Sequence, residues 1–176
     1  MRRPADAERI HRVLRHLGGA ATQPARIYLT GGATAVLHGW RPSTLDVDLK
    51  LVPDRDEILR AMATLKENAE VNLELAAPDD FIPPLPGWEE RSLFIEQIGS
   101  VGFFHYDPYA QTLAKLERGH TLDLDDARHM VAEGLVDGVQ LHRLFERIEP
   151  ELFRYPAIDP RSFRAAVERF LMSLTR

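Results

Sequence analysis

Asp46 and Asp48 stand two apart in the stretch Leu45-Asp46-Val47-Asp48-Leu49. On an extended strand alternate side chains share a face, with Cα atoms about 6.6 Å apart, so both carboxylates project the same way. Two like charges that close raise each other's cost of ionisation unless a cation lies between them. An all-oxygen pair of this kind suits Mg²⁺ or Mn²⁺ better than zinc. The spacing alone is equally that of surface aspartates on an edge strand, and by itself it favours that plainer reading. Upstream, Gly31-Gly32 follows an apolar run and opens a helix-like stretch. Backbone N–H groups there can receive phosphate, and glycine lets a bulky anion approach closely. Neither a Walker nor a dinucleotide fingerprint surrounds the pair.

The elements that must position these residues follow from periodicity. Ile10, Val13, Leu14 and Leu17 predict a helix over 5–17, stopped by Gly18-Gly19. Residues 26–30 predict a buried strand, 33–38 a short helix, and 45–52 an alternating strand with Leu45, Val47 and Leu49 on the face opposite the aspartates. Helical spacing returns over 55–66, and 71–76 alternates again. Residues 77–91 carry four prolines and a glycine, which predicts an irregular loop packing Phe81 and Trp88 over the core. Two strands joined at Gly99-Ser100 follow. Asp107, Asp123, Asp137 and Asp159 then each precede helical spacing as N-caps, two of them followed by proline. The expected fold class is α/β (α+β), a mixed sheet flanked by helices, with a core over 1–106 and a helical subregion over 107–176 in one compact unit. The stripe Phe163, Val167, Phe170, Leu171 and Leu174 predicts core or dimer contact.

Composition narrows the function classes. Hydrophobic residues make up 44% and charged residues 28%, the balance of a globular domain. No apolar run nears the roughly 20 residues of a membrane span, and no secretory leader is legible, so a cytoplasmic protein with no membrane partner is expected. The absence of cysteine removes disulfides and thiolate metal sites. A net charge of −5 disfavours a broad duplex-binding surface but leaves room for a local basic patch. His11 and His16 are five apart, too far round a helix to chelate, and Asp107 behind His105 is explained by capping before Pro108.

In combination, the order strand, Gly31-Gly32, short helix, strand with Asp46 and Asp48 resembles the polymerase-beta-type minimal nucleotidyltransferase signature. Glu74, in Leu73-Glu74-Leu75, stands where that family carries its third carboxylate. Arg41 with Ser43-Thr44 before the first aspartate resembles the form found in bacterial abortive-infection, toxin-like members, as does the Lys115-x-x-Arg118 helix followed by an acidic turn. The resemblance implies transfer of a nucleoside monophosphate from a nucleoside triphosphate to an acceptor, with release of pyrophosphate. It implies Asp46, Asp48 and Glu74 as catalytic and metal-holding residues for Mg²⁺ or Mn²⁺. It implies Gly31, Gly32, Arg41, Thr44 and Lys115 as nucleotide-binding residues, and a toxin–antitoxin setting. Many members have Ser where this chain has Gly32, so Thr30 or Thr34 would have to supply a hydroxyl. Ser43, Arg118 and Asp126 complete the candidate set, Asp126 as a residue that orients Lys115 or touches the site. Without the resemblance, Lys115 and Arg118 read as a solvated helix face and Asp123, Asp125 and Asp126 as a helix cap. The acceptor is left open among a tRNA or other RNA, a protein hydroxyl and a small molecule. A second reading is a catalytically silent module of the same fold that binds a protein partner, as an antitoxin or regulatory subunit would.

Overall fold

The computed structural model describes residues 3–68 and 71–176. The chain is of the α/β class. It divides into two compact units: Met1–Ala77 with Ser92–Tyr106, and Pro78–Arg91 with Asp107–Arg176. The proline-rich segment therefore groups with the C-terminal helices rather than with the sheet that precedes it.

Among the described residues, the first unit holds three helices, α1 (Ala7–Ala20), α2 (Gly32–Leu37) and α3 (Asp56–Glu67), and five strands. The strands are β1 (Ala25–Thr30), β2 (Asp46–Val52), β3 (Asn72–Leu75), β4 (Leu93–Ile98) and β5 (Val101–His105). They form one mixed sheet in the order β3-β2-β1-β5-β4. β1 runs antiparallel to β2 and parallel to β5, β2 is parallel to β3, and β4 is antiparallel to β5. Alternation decides which side of each strand is covered. Ile27, Leu29, Val47, Leu49, Leu73, Val101 and Phe103 are buried in one cluster with Ile10, Leu14 and Leu17 of α1 and Ile58, Met62 and Leu65 of α3. Each large apolar side chain contributes about 1.5–3 kcal/mol on burial, enough to fix this register against a one-residue slip. Leu45 does not share that burial: it precedes β2 and is exposed.

Gly18-Gly19 do not stop α1, which runs through both to Ala20. A Cβ on Gly18 would lie 2.6 Å from Ile98 Cγ2, so the glycine lets helix and β4 approach closely. Asp6 caps α1 by accepting from the Arg9 N–H at 2.9 Å. Beside it, Ala5 and Thr44 exchange backbone hydrogen bonds of 2.7 and 2.9 Å, which fixes the approach to β2.

The second unit contains a 3₁₀ turn at Pro78–Asp80, the single turn α4 (Trp88–Arg91), α5 (Pro108–Arg118), α6 (Thr121–Ala132), α7 (Gly138–Ile148), a 3₁₀ stretch at Glu149–Arg154 and α8 (Pro160–Ser173). Asp107, Asp137 and Asp159 cap α5, α7 and α8 through their side chains. Asp123 is not a cap. His120 holds that position, and Asp123 lies buried inside the first turn of α6. In the proline-rich segment Ile82 and Leu85 are buried, whereas Phe81 is exposed and Trp88 half-buried. The segment is held by polar links: the Arg91 guanidinium donates to Asp107 Oδ2 at 3.0 and 2.7 Å, and the Tyr155 hydroxyl donates to the Asp79 carbonyl at 2.9 Å. Phe163, Val167 and Phe170 are core residues of this unit, with Phe145 edge-on to Phe163 at 5.0 Å. Among the described residues, no helix is long and apolar enough to cross a membrane.

Candidate metal and nucleotide site

The sheet face opposite the apolar cluster carries the acidic residues. Strand register pairs Asp46 with Asn72 and Asp48 with Glu74 across β2 and β3, and Thr30 with Asp48 across β1 and β2. Paired residues point to the same side of a sheet, so Thr30, Asp46, Asp48, Asn72 and Glu74 share one face. Lys50 follows on that face, opposite Tyr28. Tyr28 stacks on Phe104 at 5.3 Å.

Gly31 makes the turn between β1 and α2 with φ +62°, a left-handed conformation that residues with a Cβ adopt at a cost. A Cβ there would meet Asp48 Oδ2 at 3.3 Å, so the glycine pair and the second aspartate are immediate neighbours. A Cβ on Gly32 would fall on the Thr44 side chain. The space a serine side chain would need at position 32 is thus filled by Thr44, whose hydroxyl donates to the Asp46 carbonyl at 3.0 Å. Arg41 and Ser43 are half-buried in the same connection between α2 and β2.

Thr34 faces the other way. Its hydroxyl is buried, 3.4 Å from the Leu29 carbonyl and 3.0 Å from His105 Nδ1, which removes it from the acidic face. Thr30, the other hydroxyl considered, stands beside Asp48. His105 is packed against His38 with ring centroids 4.6 Å apart, and His38 stacks on Trp40 at 4.8 Å. Burial, reinforced by the neighbouring His38, pushes the His105 imidazole down to about 3, so it is neutral.

The remaining candidates lie in the helical unit, where Lys115 and Asp126 are buried and Arg118 is exposed. Lys115 is buried, its ammonium 2.7 Å from Asp126 Oδ2 and 3.7 Å from Asp123 Oδ1. Arg118 forms a fork with Asp123 at 2.9 and 2.6 Å. Burial alone would push the Asp123 carboxyl up, but the hydrogen bond and charge of Arg118, with Lys115 behind it, hold it below the ordinary carboxylate range. Asp107 goes the other way: burial raises it despite Arg91. Two cations and two carboxylates compensate one another in this network, so it has a structural reason to exist without any ligand.

The fit of a divalent cation to the acidic face is a matter of donors and their assembly. Asp46, Asp48 and Glu74 supply only hard oxygen, the donor type Mg²⁺ and Mn²⁺ prefer, from adjacent strands and one side of the sheet. Among the described residues, no group of three or more acidic or histidine side chains stands ready-assembled around one metal position. The Asn72 amide instead sits between two of the acids, donating to Asp46 Oδ1 at 2.5 Å and to Glu74 Oε1 at 2.9 Å. Sequence reasoning passes over Asn72 because it seeks acidic letters. Its position two before Glu74 is the available signal.

A scan against protein-family models and searches of curated proteins and of solved structures find no match to this chain.

Proposed function

We propose that the protein is a metal-dependent nucleotidyltransferase that moves a nucleoside monophosphate from a nucleoside triphosphate to an acceptor hydroxyl. The observation that carries this reading is the convergence, on one sheet face, of Asp48 with Gly31 at its side and Glu74 opposite it. Asp46, Asp48 and Glu74 would hold Mg²⁺ or Mn²⁺, which when bound supplies charge neutralisation for the phosphates and the departing pyrophosphate. Glu74, exposed on the edge strand, would accept the proton of an incoming hydroxyl. Gly31 and Gly32, which carry no side chains of their own, would let a triphosphate approach the backbone closely beside Asp48, and Thr44 and Arg41 border the same connection. The site is built from the sheet unit alone. Lys115, Arg118 and Asp126 take structural roles, because their charges are already satisfied inside the helical unit.

The bridging Asn72 amide supports a second reading, a silent module of toxin–antitoxin type that binds a protein partner. An amide that already ties two carboxylates together lets the face persist with no cation bound. Labelled nucleoside triphosphates incubated with the protein, a cell extract and Mg²⁺ separate the two readings. The enzyme transfers label to an RNA, a protein or a small molecule, and Glu74→Gln lowers that transfer by a factor of about a hundred or more while leaving nucleotide binding within a fewfold. No transfer from any of the four nucleotides, together with specific retention of a protein partner, supports the silent module instead.

A further inference from the structure

We propose that Asn72 is the positioning residue of this site: its amide clamps Asp46 and Glu74 through nitrogen while the carboxylates are bare, and turns its oxygen toward a divalent cation when one binds. The inference rests on the metal-binding reading of the acidic face and adds a residue and a switching motion to it.

Asn72 begins β3, the strand at the edge of the sheet, directly opposite Asp46. Asparagine is among the residues depleted in strands, where β-branched and aromatic side chains pack better. Packing does not account for it at a half-exposed edge position. Its hydrogen bonds do. A primary amide carries two N–H donors on one nitrogen, and this nitrogen contacts one carboxylate across the strand pair and another two residues along its own strand. Aspartate there would add a further negative charge to the face, and threonine or serine would offer a single proton. Asparagine is thus a side chain of the right length that can serve two carboxylates at once and remain neutral.

The same chemistry makes the clamp reversible. A cation shared by Asp46 and Glu74 repels the partial positive charge of an NH₂ group and attracts the amide oxygen. Rotation of the amide by half a turn exchanges one for the other with little change of shape, and asparagine carbonyls are ordinary ligands of hard cations. In the bare state Asn72 moderates repulsion between the acids. In the loaded state it becomes an oxygen donor beside them.

The test is a calorimetric titration of the whole chain with Mn²⁺, for wild type, Asn72→Ala and Asn72→Asp, joined to the side-chain amide resonance of Asn72 followed by NMR during a Mg²⁺ titration. The proposal expects Asn72→Ala to bind Mn²⁺ at least about tenfold more weakly, the scale on which residues that hold metal ligands in place act. Asn72→Asp keeps an oxygen donor and binds at least as tightly as wild type. In wild type the Asn72 NH₂ resonance moves as Mg²⁺ is added, because both of its carboxylate acceptors are lost; a residue that merely stabilises the strand would leave it unmoved. Wild type that binds Mn²⁺ with Asn72→Ala unimpaired, or an amide resonance that ignores saturating Mg²⁺, overturns this inference and leaves the metal reading standing. Wild type that binds no Mn²⁺ overturns both.

Discussion

The two charged clusters of this molecule are built on opposite plans. In the helical unit, Lys115, Arg118, Asp123 and Asp126 bring two positive and two negative groups together, and Lys115, Asp123 and Asp126 are buried. On the sheet of the other unit, Asp46, Asp48 and Glu74 gather three negative groups at a face where Asp46 and Glu74 are exposed. A balanced buried network explains itself, since each charge compensates the desolvation of another. A cluster of one sign gains nothing in stability from its members being close. The contrast gives the helical cluster a structural reason to exist, with Lys115 as an internal counter-ion, and leaves the acidic face without one.

Breaking the balanced cluster gives the largest effect. Asp126→Ala leaves the Lys115 ammonium buried beside Asp123 alone, which Arg118 already engages, and is expected to cost about 3–5 kcal/mol. Urea unfolding followed by helical circular dichroism measures this. Converting both partners together, Lys115→Met with Asp126→Leu, restores most of the loss. If instead Asp126→Ala is neutral in stability yet removes activity, the assignment of this network to the fold is wrong.

Acidification sharpens the comparison with a smaller effect. In the sheet unit His105 is neutral and buried, with its pKa depressed from 6.5 to about 3. The unfolded chain takes up a proton below 6.5 that the folded one refuses, so His105 favours folding fully above that pH and loses its contribution as pH falls toward about 3. The total is on the order of a few kcal/mol. In the helical unit the depressed Asp123 contributes stability that is lost only below its unfolded value of 3.8, and the raised Asp107 favours folding more as it protonates. The sheet unit therefore loosens at the higher pH. Each unit carries one tryptophan, Trp40 and Trp88, so Trp88→Phe and Trp40→Phe variants report them separately. Trp40 fluorescence should change at higher pH than Trp88, and His105→Asn should bring the two transitions together. Coincident transitions in the unmodified pair, unmoved by His105→Asn, would remove the distinction.

Much of the sheet unit is legible from letters because period two is a local signal. Val47 and Leu49 against Asp46 and Asp48, and Leu73 against Glu74, place the acids opposite the apolar side of their strands by alternation alone. What is not legible depends on distant partners. Gly18 reads as a helix stop, yet Ile98 presses on it from β4 and the helix continues past it. Asp123 reads as a cap, yet α6 begins at Thr121, two residues earlier. Phe81 and Trp88 are the larger apolar letters of their segment, but the smaller Ile82 and Leu85 are the ones that fit inside. Lys115 reads as a surface residue because lysine usually is one. Its burial follows from two aspartates on the next helix. Asn72 lies in plain sight on the acidic face, but its role comes from a side-chain bridge that spacing does not encode.

Divalent-cation binding to the acidic face, as proposed, can be read from thermal unfolding with and without Mn²⁺. A ligand bound only by the folded chain, at about a hundredfold excess over its Kd, adds about 2.7 kcal/mol, which in a protein of this size raises Tm by about 5–10 °C. The account predicts that rise for wild type and its disappearance in the paired substitution Asp46→Asn with Asp48→Asn, whose Tm without metal stays level or rises slightly as repulsion is relieved. A wild-type Tm that ignores Mn²⁺, or an equal rise in the paired variant, would contradict it.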